Sequence, residues 1–154
     1  MIEVEVALRI EAPAATVWRL VGDFNATRRW VPSVEHSTKS GDGVGALRTL
    51  LISGGARIVE RLDAYDGPGR SYTCGYVAGP LPVKSYATTL SVTAAGENDC
   101  VVTWSSRIEP EGLPPEQVAQ LYRDLYRVGL ANLERVIARA APGPGSLPES
   151  AERL

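Results

Sequence analysis

The feature that most constrains this chain is one long amphipathic helix near its C-terminus, expected over roughly Pro115 to Ala140. Pro114 and Pro115 open it, Glu116 and Gln117 occupy its first turn, and Pro142 with Gly143 stop it. Proline fits a helix start because its missing N–H has no intrahelical partner there, and it cannot continue a helix. At about 100° per residue, Val118, Leu121, Tyr122, Leu125, Val128, Gly129, Asn132 and Val136 fall in one sector, with Gln120, Arg123, Arg127 and Glu134 opposite. Such a helix spans on the order of 39 Å. A stripe of that length needs a broad sheet to lie across.

Two residues of the stripe bear on more than packing. Asn132 lies near its centre, and a buried amide without partners costs roughly 1–3 kcal/mol. Gly129, one turn earlier, lowers helix propensity by about 1 kcal/mol relative to alanine. Either Asn132 satisfies a backbone group and Gly129 permits close helix–sheet contact, or the stripe lines a cavity.

The strands for such a sheet are legible upstream. Ile2, Val4, Val6, Leu8 and Ile10 alternate with Glu3, Glu5, Arg9 and Glu11, the pattern of a half-buried antiparallel strand. Pro13 opens a short helix to Val21 that Asp23-Phe24-Asn25 breaks. A second, about Ala26 to Trp30, ends before Pro32, since the residue preceding proline avoids helical geometry. Strands follow over Val34 to Lys39, Ala46 to Ile52, Ala56 to Leu62, Arg70 to Ala78, Val83 to Thr93 and Cys100 to Glu109. The sequence therefore reads as strand, two short helices, six strands and a long helix.

The hairpin around Ser53-Gly54-Gly55 fixes its own register. A two-residue Gly-Gly loop would set Arg48 opposite Arg61. A three-residue loop pairs Ile52 with Ala56, Leu50 with Ile58 and Arg48 with Glu60. The second arrangement places Leu50, Ile52, Ile58 and Leu62 on one face and Arg57, Arg61 and Asp63 on the other, and it sets opposite charges across from each other. It also sends Arg48 and Glu60 to the inner face, where a single charge is not left unpaired.

Composition bounds the rest. With 154 residues, 44% of them hydrophobic, and neither linker nor repeat, the chain reads as one α+β domain over 1–141, with a disordered tail over 142–154 that is rich in Pro, Gly, Ser and Glu. A net charge of −2 without basic runs argues against nucleic acid, and no apolar run approaches the ~20 residues of a membrane span. The N-terminus enters a strand directly, which predicts no signal peptide. Cys74 and Cys100 lack metal spacing and read as reduced thiols of a cytoplasmic protein. His36 is the only histidine, so no metal site, cofactor fingerprint or Ser-His-Asp triad is expected. A homodimer is left open.

The element order resembles the helix-grip fold of the START/Bet v 1-like (SRPBCC) superfamily, and within it the bacterial polyketide cyclase/dehydrase group. The resemblance covers about residues 2 to 140. It rests on Ala12-Pro13-Ala14-Ala15-Thr16-Val17-Trp18, Trp30-Val31-Pro32, Gly43-Val44-Gly45-Ala46-Leu47-Arg48, Glu60-Arg61-Leu62 with Asp66, and Gly79-Pro80-Leu81-Pro82 with Tyr86. It implies a curved seven-stranded antiparallel sheet wrapped around the long C-terminal helix, with two short helices after the first strand. Many members carry histidine where this chain has Val31. The plant abscisic acid receptors are similar in their strand motifs, and by that similarity Arg48, Glu60, Tyr86, Thr88 and Asn132 match positions that line the hormone cavity. Ser53-Gly54-Gly55-Ala56 resembles a shortened form of the receptors' closing gate, whereas the loop Gly79 to Pro82 carries prolines in place of the latch, so phosphatase signalling is not implied.

Arg48 with Glu60 is the leading candidate pair. It reads either as a salt bridge bracing the sheet or as a polar anchor orienting a ligand carbonyl or carboxylate, with an enolate as the catalytic variant. Tyr72, Tyr76, Tyr86, Tyr122, Trp30 and Trp104 are core aromatics or walls for a flat ligand. The expected ligand-contacting set is Trp30, Arg48, Glu60, Tyr76, Tyr86, Thr88, Trp104, Tyr122 and Asn132. Two functions follow: a carrier or sensor of a small hydrophobic or aromatic molecule, favoured because no clear acid–base pair is present, and a polyketide cyclase, aromatase or dehydratase. A chaperone-like interaction protein is a weaker third.

Overall fold

The computed structural model describes residues 1–140; the tail expected over 142–154 lies outside the described residues. In chain order the elements are β1 (Ile2–Ile10), α1 (Ala14–Val21), a 3-10 turn (Thr27–Arg29), β2 (Val34–Ser40), β3 (Leu47–Ile52), β4 (Arg57–Asp66), β5 (Ser71–Ala78), β6 (Val83–Ala94), β7 (Cys100–Pro110) and α2 (Pro115–Ala140). The strands form one antiparallel sheet in the order β1-β7-β6-β5-β4-β3-β2. This is the helix-grip arrangement. Alternation decides which face is inner: in β7, Cys100, Val102, Ser106 and Ile108 are buried, and in β1 Val4 and Ile10 are buried between exposed Glu3, Glu5, Arg9 and Glu11. None of the helices among the described residues is long and apolar enough to cross a membrane.

The β3–β4 hairpin has the three-residue register, with Arg48 opposite Glu60, Leu50 opposite Ile58, and the Ile52 N–H donating to the Ala56 carbonyl at 2.8 Å. Gly54 and Gly55 both have positive φ (97° and 98°), a conformation that β-carbons disfavour and that closes so short a loop. Register shifts in β4 at Val59/Glu60 and Leu62/Ala64, and in β6 at Val83/Ser85, insert the extra residues that bend a sheet. The sheet can therefore curl around α2 rather than lie flat beneath it.

The buried face of α2 differs from the expected sector. Val118, Tyr122, Tyr126, Gly129, Leu130, Leu133 and Ile137 are buried, whereas Leu121 and Val128 are 49% and 54% exposed. At 100° per residue the buried stripe is rotated by roughly 80° from the expected one. The reason is that α2 has two apolar flanks. One packs on the sheet, principally along β1 and β7; the other carries Leu121 and Leu125 to a cavity that the sheet leaves unfilled.

Candidate functional site

A cavity of about 300 Å³ lies between the inner face of β3 to β7, the segment Thr27 to Val34 and α2. Leu50, Ile52, Ile58, Leu90 and Leu125 supply apolar lining, and half-exposed Leu121 brings it to the surface. Along one side runs a series of rings. Trp30 and Trp104 have centroids 5.1 Å apart, Trp104 stacks on Tyr126 at 4.1 Å, Tyr126 meets Tyr122 at 6.1 Å, and Tyr122 meets Tyr86 at 6.0 Å.

At the base sits a buried ion pair. Arg48 and Glu60 are each 6% exposed. Arg48 Nε donates to Glu60 Oε1 at 2.8 Å, and Nη2 stands 2.7 Å from the same oxygen. Nη1 donates to the Phe24 carbonyl at 2.6 Å and to Thr27 Oγ1 at 2.8 Å, while Nη2 reaches Cys74 Sγ at 3.7 Å. The Phe24 ring covers one face of the guanidinium, 4.3 Å from its carbon. The other carboxylate oxygen of Glu60 accepts from the Tyr86 hydroxyl. Beside this cluster, Ser106 Oγ bridges Thr88 Oγ1, at 2.6 Å, and the Tyr126 hydroxyl.

Against these satisfied groups stand two that are not. Trp30 Nε1 and Tyr122 Oη are buried without a hydrogen-bond partner among the described residues, and both side chains line the cavity. A buried polar group left so costs roughly 1–3 kcal/mol.

Seven of the nine expected residues line the cavity: Trp30, Arg48, Glu60, Tyr86, Thr88, Trp104 and Tyr122. The other two stand behind it. Asn132 Nδ2 donates to the Trp30 carbonyl at 2.9 Å, which ties α2 to the segment bearing that indole. The Tyr76 hydroxyl donates to the Gly79 carbonyl and accepts from the Leu81 N–H at 3.4 Å, holding the proline-flanked loop so that Leu81 reaches the cavity. Sequence reasoning missed Thr27, whose hydroxyl receives Arg48, and Tyr126. The i, i+4 spacing of Tyr122 and Tyr126 was the available signal for the second, since residues four apart share a helix face.

The polyketide cyclase / dehydrase and lipid transport family matches residues 1–138. The chain belongs to this family. It is similar to the abscisic acid receptor PYL2 of Arabidopsis thaliana, with 30% identity over 145 residues that cover 87% of this chain and 76% of the receptor. Among solved structures it is similar to the protein XoxI from Bacillus cereus, with a TM-score of 0.85, 28% identity, and coverage of 90% of this chain and 96% of that one. An uncharacterized protein from Bacillus thuringiensis gives a TM-score of 0.84 at 28% identity, covering 89% of this chain and 99% of that one. The START/Bet v 1-like (SRPBCC) kinship read from the motifs holds.

In this member of the polyketide cyclase / dehydrase family the cavity phenols are held protonated. Burial raises the pKa of Tyr72, Tyr86, Tyr122 and Tyr126, that of Tyr126 to about 12, and the Glu60 charge adds to the effect at Tyr86. Burial likewise raises the Cys74 thiol. Burial, the largest single influence on Arg48, would lower its pKa, but the Glu60 charge and hydrogen bond together with Tyr72 and Cys74 outweigh it and keep the guanidinium protonated. For the phenols the folded-state value exceeds the unfolded one near 10, so their contribution to stability is whole below pH 10 and is lost as pH rises toward and past 12, at roughly 1.4 kcal/mol for each unit of separation. In an alkaline titration, phenolate absorbance from these four should appear together with loss of the far-ultraviolet circular dichroism signal. Ionisation of all six tyrosines with the fold intact would contradict this.

Proposed function

We propose that this chain binds one small hydrophobic or aromatic molecule, polyketide- or lipid-like, in the cavity beneath α2, as a carrier or sensor. The observation that carries the reading is the cavity itself: about 300 Å³, at the lower end of the ~300–1,000 Å³ typical of ligand sites, largely apolar, walled by aromatic rings and holding two unpaired buried donors. The family's description includes lipid transport, and the PYL2 relative is named for abscisic acid; both agree with a small apolar cargo. Trp30, Tyr86, Thr88, Trp104 and Tyr122 form the contacting surface over the Arg48–Glu60 base. Tyr76 and Asn132 hold its surroundings.

The cyclase or dehydratase alternative is less well supported. It needs a base at the ligand, whereas the Glu60 oxygens are engaged by Arg48, Cys74 and Tyr86, and the buried phenols stay protonated. The binding reading is tested with N-phenyl-1-naphthylamine, a neutral dye that fluoresces in apolar surroundings. Saturable one-to-one enhancement is expected, and Leu125→Trp, which fills the cavity from α2, should weaken it by at least about tenfold with little change in melting temperature. Enhancement that does not saturate, or that survives Leu125→Trp unchanged, would remove the basis for a cavity ligand.

A further inference from the structure

The charges of this cavity are paired while two of its donors are not. From that contrast we infer the ligand's chemical class: an uncharged, flat molecule bearing hydrogen-bond acceptors, such as ketone, quinone or ether oxygens, and not a carboxylate. The inference rests on the ligand-binding reading above and adds the ligand's charge and polarity.

Three observations converge. First, Arg48 has nothing left to offer an anion: each of its nitrogens is engaged by Glu60, Phe24, Thr27 or Cys74, and the Phe24 ring covers a face of the guanidinium. A carboxylate entering here would face the Glu60 charge in a desolvated site and would have to displace it from Arg48. Second, both unpaired groups can donate. An indole N–H can only donate, and the Tyr122 phenol, held protonated by burial, has its O–H to give. Third, Trp30 and Tyr122 are joined by the continuous ring series through Trp104 and Tyr126. A planar molecule lying along that wall brings oxygens on its edge to both donors.

Three naphthalenes of nearly equal size separate the possibilities: 2-acetylnaphthalene carries one neutral acceptor, 2-ethylnaphthalene none, and 2-naphthoate a charge at pH 7.5. Dissociation constants are measured by tryptophan fluorescence, and the indole N–H resonance of Trp30 is followed by NMR. The ketone should bind about tenfold tighter than the hydrocarbon and at least tenfold tighter than the carboxylate, as expected when an unpaired buried donor gains a partner. In addition, either Tyr122→Phe erases the ketone's advantage over the hydrocarbon, or the Trp30 N–H resonance moves with the ketone and not with the hydrocarbon. A ketone that binds no tighter than the hydrocarbon overturns the inference, as does an advantage that survives Tyr122→Phe with the indole resonance unmoved. Tightest binding by 2-naphthoate overturns it too, but leaves the cavity reading standing. If none of the three binds, the cavity reading falls and this inference with it.

Discussion

Replacing Arg48 by methionine is expected to lower stability by about 3–5 kcal/mol, the range for removing one partner of a buried ion pair. The cost comes from what remains: a Glu60 carboxylate with a side chain 8% exposed, facing the Tyr86 hydroxyl but no positive charge. The change should appear as a lower urea midpoint at an unchanged m-value. Arg48→Met combined with Glu60→Leu removes the stranded charge and should regain part of the loss. Recovery stays incomplete because the Phe24 carbonyl, Thr27 Oγ1 and the Tyr86 hydroxyl still lack their partners. Arg9–Asp99 provides the control, since its arginine side chain is 61% exposed and Arg9→Met should barely move the midpoint. Equal effects of Arg48→Met and Arg9→Met would show that the buried pair does not brace the sheet.

The sequence carried the Arg48–Glu60 pairing because two independent patterns agreed on it. Only the three-residue loop sends Leu50, Ile58 and Leu62 inward and Arg57 and Arg61 outward, and the same register sets the two charges opposite each other. The partners that complete Arg48 were not legible. Phe24 and Thr27 precede it by 24 and 21 residues, in a break and a short turn whose composition says nothing about where their oxygens point. The sector of α2 misled for a different reason. Leu121 and Leu125 are apolar because they border the cavity, while Leu130, Leu133 and Ile137 are apolar because they face the sheet. Hydropathy does not distinguish a cavity wall from a packed core, so a sector drawn around Leu121 and Leu125 leaves out Leu130, Leu133 and Ile137. Asn132 reflects the same ambiguity: its place near the apolar flank was legible, but its bond to the carbonyl of a residue 102 positions away was not.

Gly129→Leu is expected to destabilise the fold by about 1–3 kcal/mol, the usual penalty for overpacking, even though leucine is the better helix former. A β-carbon at this position would lie 2.8 Å from Trp104 Cζ3 and 3.6 Å from Trp30 Cζ3. The Trp104 ring has little room to retreat, because it stacks on Tyr126 at 4.1 Å with 15° between the planes and stands 5.1 Å from Trp30. Gly129→Ala separates the two effects. Its gain of about 1 kcal/mol in helix propensity opposes a clash with a ring carbon, so it should fall between wild type and leucine in melting temperature. Both variants should alter the near-ultraviolet circular dichroism of the tryptophans, and Gly129→Leu should also weaken N-phenyl-1-naphthylamine, because the displaced rings form the cavity wall. If Gly129→Leu instead raised the melting temperature with the tryptophan signal unchanged, the ring series would be loosely held, and glycine would be present at this position for some reason other than the close approach of α2 to Trp104.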